Sequence, residues 1–502
     1  MSSTHSTSSP LQRLRSVLAL LLAGLASATA GAAPADVDGV IVKFRSARPA
    51  SALSVPQTAA STPSGTPAAA APVLRAQSLG QRTGLRLRDG APLSSTTQVI
   101  HGAAGQSTAA LVRALSADPQ VEYAVENRRR RAHASVNDPL FAGGSGVSPL
   151  AGQWYLGTPN ASLVSAVNAE AAWSVTAGRA DVVVAVLDSG VRFKHPDLAG
   201  KLLPGHDFVS ESVTSNDGDG RDPHPSDPGD WITADEHASH PTLKDCGVAD
   251  STWHGTQVAG LLGAATHNGV GMAGLGRHVR ILPVRVLGKC GGYDADIVAG
   301  MRWAGGLPVD GVPLNPHPAR ILNLSLGSLG DCASEQGRLY REAIAELRQA
   351  GVTTVVSAGN DNLGVHLPAN CAGVIAVAGL RHAGDKGGAS SLGPEVTLSA
   401  PEGNCVNTVG ECLYPILSTT NSGKTGPQCS TYTNGLSDVA RGTSFSAPMV
   451  AGTAALMLAA QPSLTPDQLA ALLKSTARPF PSRAAGDTTP MCQPTTVRTV
   501  QE

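Results

Sequence analysis

Five short runs constrain this chain more than any other feature: VVVAVLDSG from Val182, ILPVRVLG from Ile281, ILNLSLG from Ile321, TTVVSAGN from Thr353 and GVIAVAGL from Gly373. A strand with one wet face alternates apolar and polar residues, whereas a strand covered on both faces is apolar almost throughout. These Val- and Ile-rich runs therefore predict the buried strands of a parallel sheet. Helical patterns separate them: HGTQVAGLLGAA from His254, ADIVAGMRWA from Ala295, and EQGRLYREAIAELRQAG from Glu335 with Gly351 where a helix stop belongs. The expected fold is α/β, a doubly wound, mostly parallel sheet with helices on both faces. Ligands of such sheets sit beyond the carboxyl ends of the strands, so the residues that follow each run are the ones to inspect.

Upstream of these runs the pattern is different. A strand VDGVIVKF from Val37, a strand QVIHG at Gln98, a helix over Ser107 to Ser116 with Ser107 as a possible cap, and a strand VEYAVEN from Val121 predict a small α+β module. Residues 47–72 are Ala, Ser, Thr and Pro almost throughout and are expected to be disordered. The module ends in Arg128, Arg129, Arg130 and Arg131, which read either as a solvated linker or as an exposed place for cleavage. At the start, Arg13 and Arg15 precede an apolar run from Val17 to Leu25 and then small residues through Ala33, the pattern of a secretory signal peptide. No later stretch of about 18 apolar residues is evident, so no membrane anchor is expected. The expected organisation is a signal peptide at 1–33, the small module at 34–131, a large domain at 132–485 and a tail at 486–502.

Charge and cysteine content narrow the function classes. With 37 basic against 38 acidic residues there is no overall field to attract nucleic acid. All eight cysteines lie in the later two-thirds of an exported chain, which reads as disulfides, and no CxxC or tight Cys/His cluster favours zinc. Eight cysteines allow about 105 pairings; the preferred pairs are Cys246 with Cys290 and Cys332 with Cys371.

Asp188 in VLDSG, His254 in HGTQVAG and Ser444 in GTSFSAP stand at strand ends or helix starts. Acyl transfer needs this trio: a hydroxyl to attack a carbonyl, an imidazole to take and return its proton, and a carboxylate to orient the imidazole. Singly, each is an ordinary cap or turn residue. Together, DSG, HGTxVAG and GTSxSAPxVAG, in the order Asp, His, Ser, resemble the motifs of subtilisin-like (subtilase) serine peptidases over roughly Asn137 to Ala477. An α/β-hydrolase esterase would instead carry GxSxG and the order Ser, Asp, His. A non-catalytic relative would show a damaged triad, and none is damaged.

The resemblance implies further roles. Asn360 in SAGN matches the family's oxyanion-stabilising asparagine, acting with the backbone N–H of Ser444. Ser325, Leu326 and Gly327 with Ser357, Ala358 and Gly359 would line the main specificity pocket, and Gly291 and Gly292 a second one. Asp361 leaves open whether the main pocket takes an apolar or a basic side chain. Calcium is implied at Asp138, Asp197 and Asn268, with carbonyls from Thr266, Val270 and Met272. The acidic loop holding Asp217, Asp219, Asp222, Asp227 and Asp230 is a second candidate, with a solvated loop as the alternative. The small module resembles an inhibitor-like propeptide, removed by self-cleavage between Asn127 and Asn137. The resemblance thus implies a secreted, extracellular, monomeric endopeptidase that acts on proteins or peptides and is made as a zymogen. The chain departs from the family pattern after LTPDQLAALLKSTARPF, where it reaches PMCQPTTVRTVQE, and apolar surface on that last helix is expected to be exposed.

Overall fold

The protein is described by a computed structural model covering residues 37–45, 73–103, 106–128, 136–144, 147–405, 410–437 and 439–481. The expected signal peptide, the tract at 47–72, Arg129 to Arg131, the tail from 486 and Cys492 lie outside the described residues. The chain divides into two compact units, residues 1–133 and 134–502.

The smaller unit contains β1 (Val37–Phe44), α1 (Val73–Thr83), β2 (Arg88–Pro92), β3 (Thr97–His101), α2 (Thr108–Ser116) and β4 (Val121–Arg128). The strands form an antiparallel sheet in the order β2-β3-β1-β4. Val40, Val42, Ile100 and Ala124 pack against Ala76 and Leu79 of α1 and Leu111 and Leu115 of α2. The sequence pattern did not reveal α1 or β2. Among the described side chains of α1 the buried ones are Ala76 and Leu79, with Gly80 beside them, too few apolar side chains to announce a helix. Ser107 occupies the N-cap position of α2 but its side chain makes no capping hydrogen bond.

In the larger unit the strands and principal helices are β5 (Val183–Asp188), β6 (His206–Asp207), α3 (His254–Gly263), β7 (Arg280–Arg285), α4 (Asp294–Ala304), β8 (Ile321–Leu324), α5 (Glu335–Gln349), β9 (Thr353–Ser357), β10 (Ile375–Leu380), β11 (Val396–Pro401), β12 (Thr419–Asn421), β13 (Ser430–Tyr432), α6 (Thr443–Ala460) and α7 (Pro466–Thr476). Seven strands pair in the order β11-β10-β9-β8-β5-β7-β6, every pair parallel. All five apolar runs are strands of this sheet, and the short β6 and the less apolar β11 extend its two edges.

Alternation along β5 explains the runs. Val184 and Val186 face one core, packed with α3 and α6, while Val183, Ala185 and Leu187 face the other, packed with α4 and α5. Helices thus cover both faces. Helix α6 is long and apolar enough to cross a bilayer, contrary to the expectation of no such stretch; 78% of it is buried within the protein, so it is a core helix. On α7 the capping box of Thr465 and Gln468 fixes the start, and Leu469 and Leu473 are buried. Of its leucines only Leu472 is substantially open to solvent, so the exposed apolar surface expected there is small.

Cys246 pairs with Cys290, Cys332 with Cys371 and, unforeseen from the sequence, Cys405 with Cys412. Cys429 is exposed and free among the described residues.

Candidate active site

Strand β5 delivers Asp188 to the carboxyl edge of the sheet, where it is fully buried. Its Oδ1 accepts from Ser189 N and pairs with His254 Nδ1 at 2.8 Å. His254 is the first residue of α3, and Trp253 before it holds the left-handed conformation at φ 54°. A non-glycine residue adopts that region only when its surroundings hold it. Here the Trp253 ring is buried and its Nε1 donates to Gly423 O. At the next position a Cβ on Gly255 would fall 2.2 Å from Gly190 O, so only glycine lets α3 approach β5 closely enough for the Asp188–His254 contact. Ser189 ties the two elements: its Oγ accepts from Gly255 N and donates to Asp227 Oδ2.

Burial opposes a charged imidazole, yet the neighbouring Asp188 carboxylate, with Asp230 and Asp227 farther off, outweighs it and holds the His254 pKa above the ordinary histidine value. Asp227, sealed from water, has its own pKa pushed up to about 7.

Ser444 stands in the first turn of α6, half-buried. Pro448 lies four residues on and has no N–H, so the Ser444 carbonyl lacks its helical donor. The Ser325 hydroxyl supplies one at 2.7 Å, and Ser325 Oγ in turn accepts from Asn323 Nδ2 at 3.0 Å. The Ser444 hydroxyl donates to Ser325 O at 3.3 Å, its resting position, while the His254 ring packs against Phe445 with centroids 5.7 Å apart.

Asn360 follows β9. Its Oδ1 accepts from Thr443 N and Thr443 Oγ1, at 2.8 and 2.9 Å, which leaves Nδ2 as the free donor beside Ser444. Ser357, Ala358 and Gly359 lead into Asn360, and Ser325, Leu326 and Gly327 leave β8 next to them. Asp361 is engaged by the protein itself: Ser391 Oγ, His366 Nε2 and Leu363 N all donate to it, and hydrogen bonding, led by Ser391, lowers its pKa to about 2. His366 lies directly under Gly359, in the space a Cβ there would need.

Gly291 lines a second cavity together with His254; Gly292 follows it in the chain but is not part of the lining. The other wall of this cavity comes from the excursion at 230–252, which Cys246–Cys290 ties to the Gly291 turn.

Neither calcium expectation meets a converging oxygen cage. Asp138 accepts from His267 N and Asn268 N. Asp197 Oδ1 accepts from Asn268 Nδ2, and its Oδ2 accepts from Met272 N and Tyr432 Oη. A Cβ on Gly271 would meet Tyr432 Oη at 1.9 Å, so the phenol hydroxyl lies directly against Gly271, between Val270 and Met272 in the chain. Asn268 Nδ2, Met272 N and Tyr432 Oη thus share the two Asp197 oxygens, and no calcium site is shown among these residues. In the acidic loop the carboxylates diverge. Asp217 pairs with buried Arg285, Asp222 accepts from His224 N, Asp227 from Ser189 and Gly229, and Asp230 from Thr252, while Asp219 accepts through its carbonyl from Ser215 Oγ. Among the described residues no group of three or more His, Cys, Asp or Glu stands together as a metal site.

Glu402, which the sequence reading passed over, sits beside the nucleophile loop, its carbonyl accepting from Gly442 N. Its side chain is 5% exposed, and Oε2 has no hydrogen-bond partner among the described residues. Burial pushes its pKa from 4.5 up to about 7. The folded state therefore holds a proton that the unfolded chain releases above 4.5, so stability falls as pH rises from about 4.5 to 7 and is level above that. Glu402→Gln is expected to remove this loss, adding on the order of 2–3 kcal/mol at pH 8 and almost nothing at pH 4. Denaturant titrations at the two pH values measure it, and an equal effect at both would contradict the account.

Comparison with known proteins places the chain in a family. A family model described as the subtilase family matches residues 179–495. The chain is 38% identical over 428 residues to an "Extracellular protease" of Xanthomonas campestris and 37% identical over 376 residues to an "Extracellular basic protease" of Dichelobacter nodosus. The matches cover 84% and 74% of this chain but 66% and 56% of those relatives, so the chain spans less than two-thirds of their length. A solved structure of a protease from Pseudoalteromonas arctica, 39% identical, superposes with a TM-score of 0.60 over 70% of this chain and 94% of that one.

Proposed function

Because the chain belongs to the subtilase family, we propose that it is a serine endopeptidase that cleaves proteins through an acyl-enzyme, with Asp188, His254 and Ser444 as its triad and Asn360 as its oxyanion donor. The observation that carries this reading is the 2.8 Å contact between His254 Nδ1 and a carboxylate wholly shut off from water, beside a serine in the first turn of a buried helix.

In this mechanism the Ser444 hydroxyl turns from the Ser325 carbonyl towards His254, a rotamer change of nanoseconds or less. Oγ attacks the scissile carbonyl carbon as its proton passes to His254 Nε2, while the Nδ1 proton stays on the imidazole, hydrogen-bonded to Asp188. Asp188 stabilises the imidazolium, the role for which the raised His254 pKa suits it. Charge gathers on the carbonyl oxygen, where Asn360 Nδ2 and Ser444 N–H donate to it. The C–N bond breaks as His254 returns the proton to the leaving amine. Water, deprotonated by His254, then releases the acyl group and restores the Ser444 hydroxyl.

The names of the relatives support export, and three disulfides suit an oxidising compartment. The reading includes a signal peptide at 1–33 and a propeptide at 34–131 that inhibits in cis until it is cut off, leaving a secreted monomer that acts on protein substrates. The reading keeps calcium as a structural ion at Asp138, Asp197 and Asn268, and no step of the reaction uses it.

A fluorophosphonate probe, with casein and a short ester as parallel substrates, tests the reading. Labelling at Ser444 with casein hydrolysis is expected. Ester turnover without casein cleavage would point to an esterase, and a folded protein inert to all three to a binding protein.

A further inference from the structure

The cavity that His254 shares with Gly291 has two chemically distinct parts. Ile232, Leu287 and the Cys246–Cys290 disulfide give it an apolar wall, while Asp230 and Asp250 add carboxylates. Asp250 is exposed and already paired with Lys424 at 3.0 Å. Asp230 differs. It is half-buried, its oxygens accept from Thr252 N and Thr252 Oγ1 at 2.6 and 2.7 Å, and no cationic side chain pairs with it among the described residues. Two neutral donors orient this carboxylate without cancelling its charge, and that charge is felt by His254. Lys289, the nearby buried cation, is committed to Glu236 at 2.6 Å.

An apolar wall next to an uncompensated carboxylate matches one kind of side chain, an aliphatic stem carrying a positive head. We propose that this cavity is a specificity pocket for an arginine or lysine side chain of the substrate, the stem lying along Ile232, Leu287 and the disulfide and the head pairing with Asp230. The proposal rests on the protease reading and names its substrate class. Asp361 differs from Asp230 in that three protein donors, one of them His366, already engage it. The chain also carries a sequence of the required kind, Arg128 to Arg131, ahead of the larger unit.

The test uses the full chain and fluorogenic peptides that differ only in arginine or citrulline, its neutral isostere, at each of the four positions preceding the cleaved bond. At one position arginine is expected to raise kcat/KM about tenfold over citrulline, a ratio that shrinks at about 0.5 M salt and towards unity in Asp230→Asn. Equal cleavage of both peptides at every position overturns the proposal, as does a preference that Asp230→Asn leaves unchanged. Should that variant fail to fold, the ratio for the unaltered chain and its salt dependence decide alone. If no peptide is cleaved and Ser444 resists the fluorophosphonate, the protease reading itself falls; cleavage of both peptides at the same rate removes only the pocket assignment.

Discussion

Ser444→Ala is expected to reduce casein hydrolysis to background, a loss of about 10⁶ in kcat, the magnitude being one known for the corresponding serine of subtilisin and not one obtained from this geometry. The fold should survive. The Ser444 side chain makes one weak hydrogen bond, to Ser325 O, whereas the backbone contact from Ser325 Oγ to the Ser444 carbonyl remains available to alanine. Intact-mass measurement gives a second readout. If the small module is a self-cleaved propeptide, the unaltered chain loses its first 126 to 136 residues while Ser444→Ala keeps them, a boundary drawn from the arginine tract in the sequence. Trimming of both forms at the same place would assign maturation to another protease.

Asn360 carries the second large effect. Asn360→Ala removes the Nδ2 donor and is expected to lower kcat by about 10² to 10³ with little change in KM, again the range known for the corresponding donor in subtilisin. Alanine also strips the acceptor from Thr443 N, a buried N–H directly before the nucleophile, so part of that loss would come from a loosened loop. Asn360→Asp separates the two causes. It keeps the acceptor for Thr443 and sets a negative oxygen where the transition state becomes negative. If donation to the oxyanion is the role of Asn360, the aspartate variant is folded, as stable as the parent and at least as impaired as the alanine variant. Near-normal kcat in Asn360→Asp would assign the residue to Thr443 alone.

How much of this was legible in the sequence depended on the range of the interaction. Asp188 closes a strand, and His254 and Ser444 lie in the first turns of helices, so local apolar patterns placed all three at the carboxyl edge of the sheet. Strands buried on both faces announced themselves because every second residue serves one of two cores, as Val184 and Ala185 do. Partners far apart in the chain left no such trace. Tyr432 reaches Asp197 across 235 positions, and its hydroxyl donates to a carboxylate that the sequence alone presented as an ion ligand. The acidic loop failed for a related reason. Composition counts carboxylates but does not say where they point, and here Arg285, Ser189 and Thr252 draw them apart. Glu402 escaped notice because a lone glutamate after a strand reads as surface, and only the packing around it reveals the buried acid.

The position of α6 has a consequence for the time at which the molecule becomes dangerous. This helix brings the nucleophile, and it is also the apolar spine that packs along β5, β8, β9, β10 and β11, so reactivity and core assembly are one event. A polypeptide emerging with its N-terminus first exposes Asp188 and His254 early, but they remain inert until Thr443 and the turns after it have followed and docked across the sheet. Such distant contacts form late in folding. On the protease reading, a cell making this chain is thereby shielded from it until α6 has docked, independently of any inhibitor.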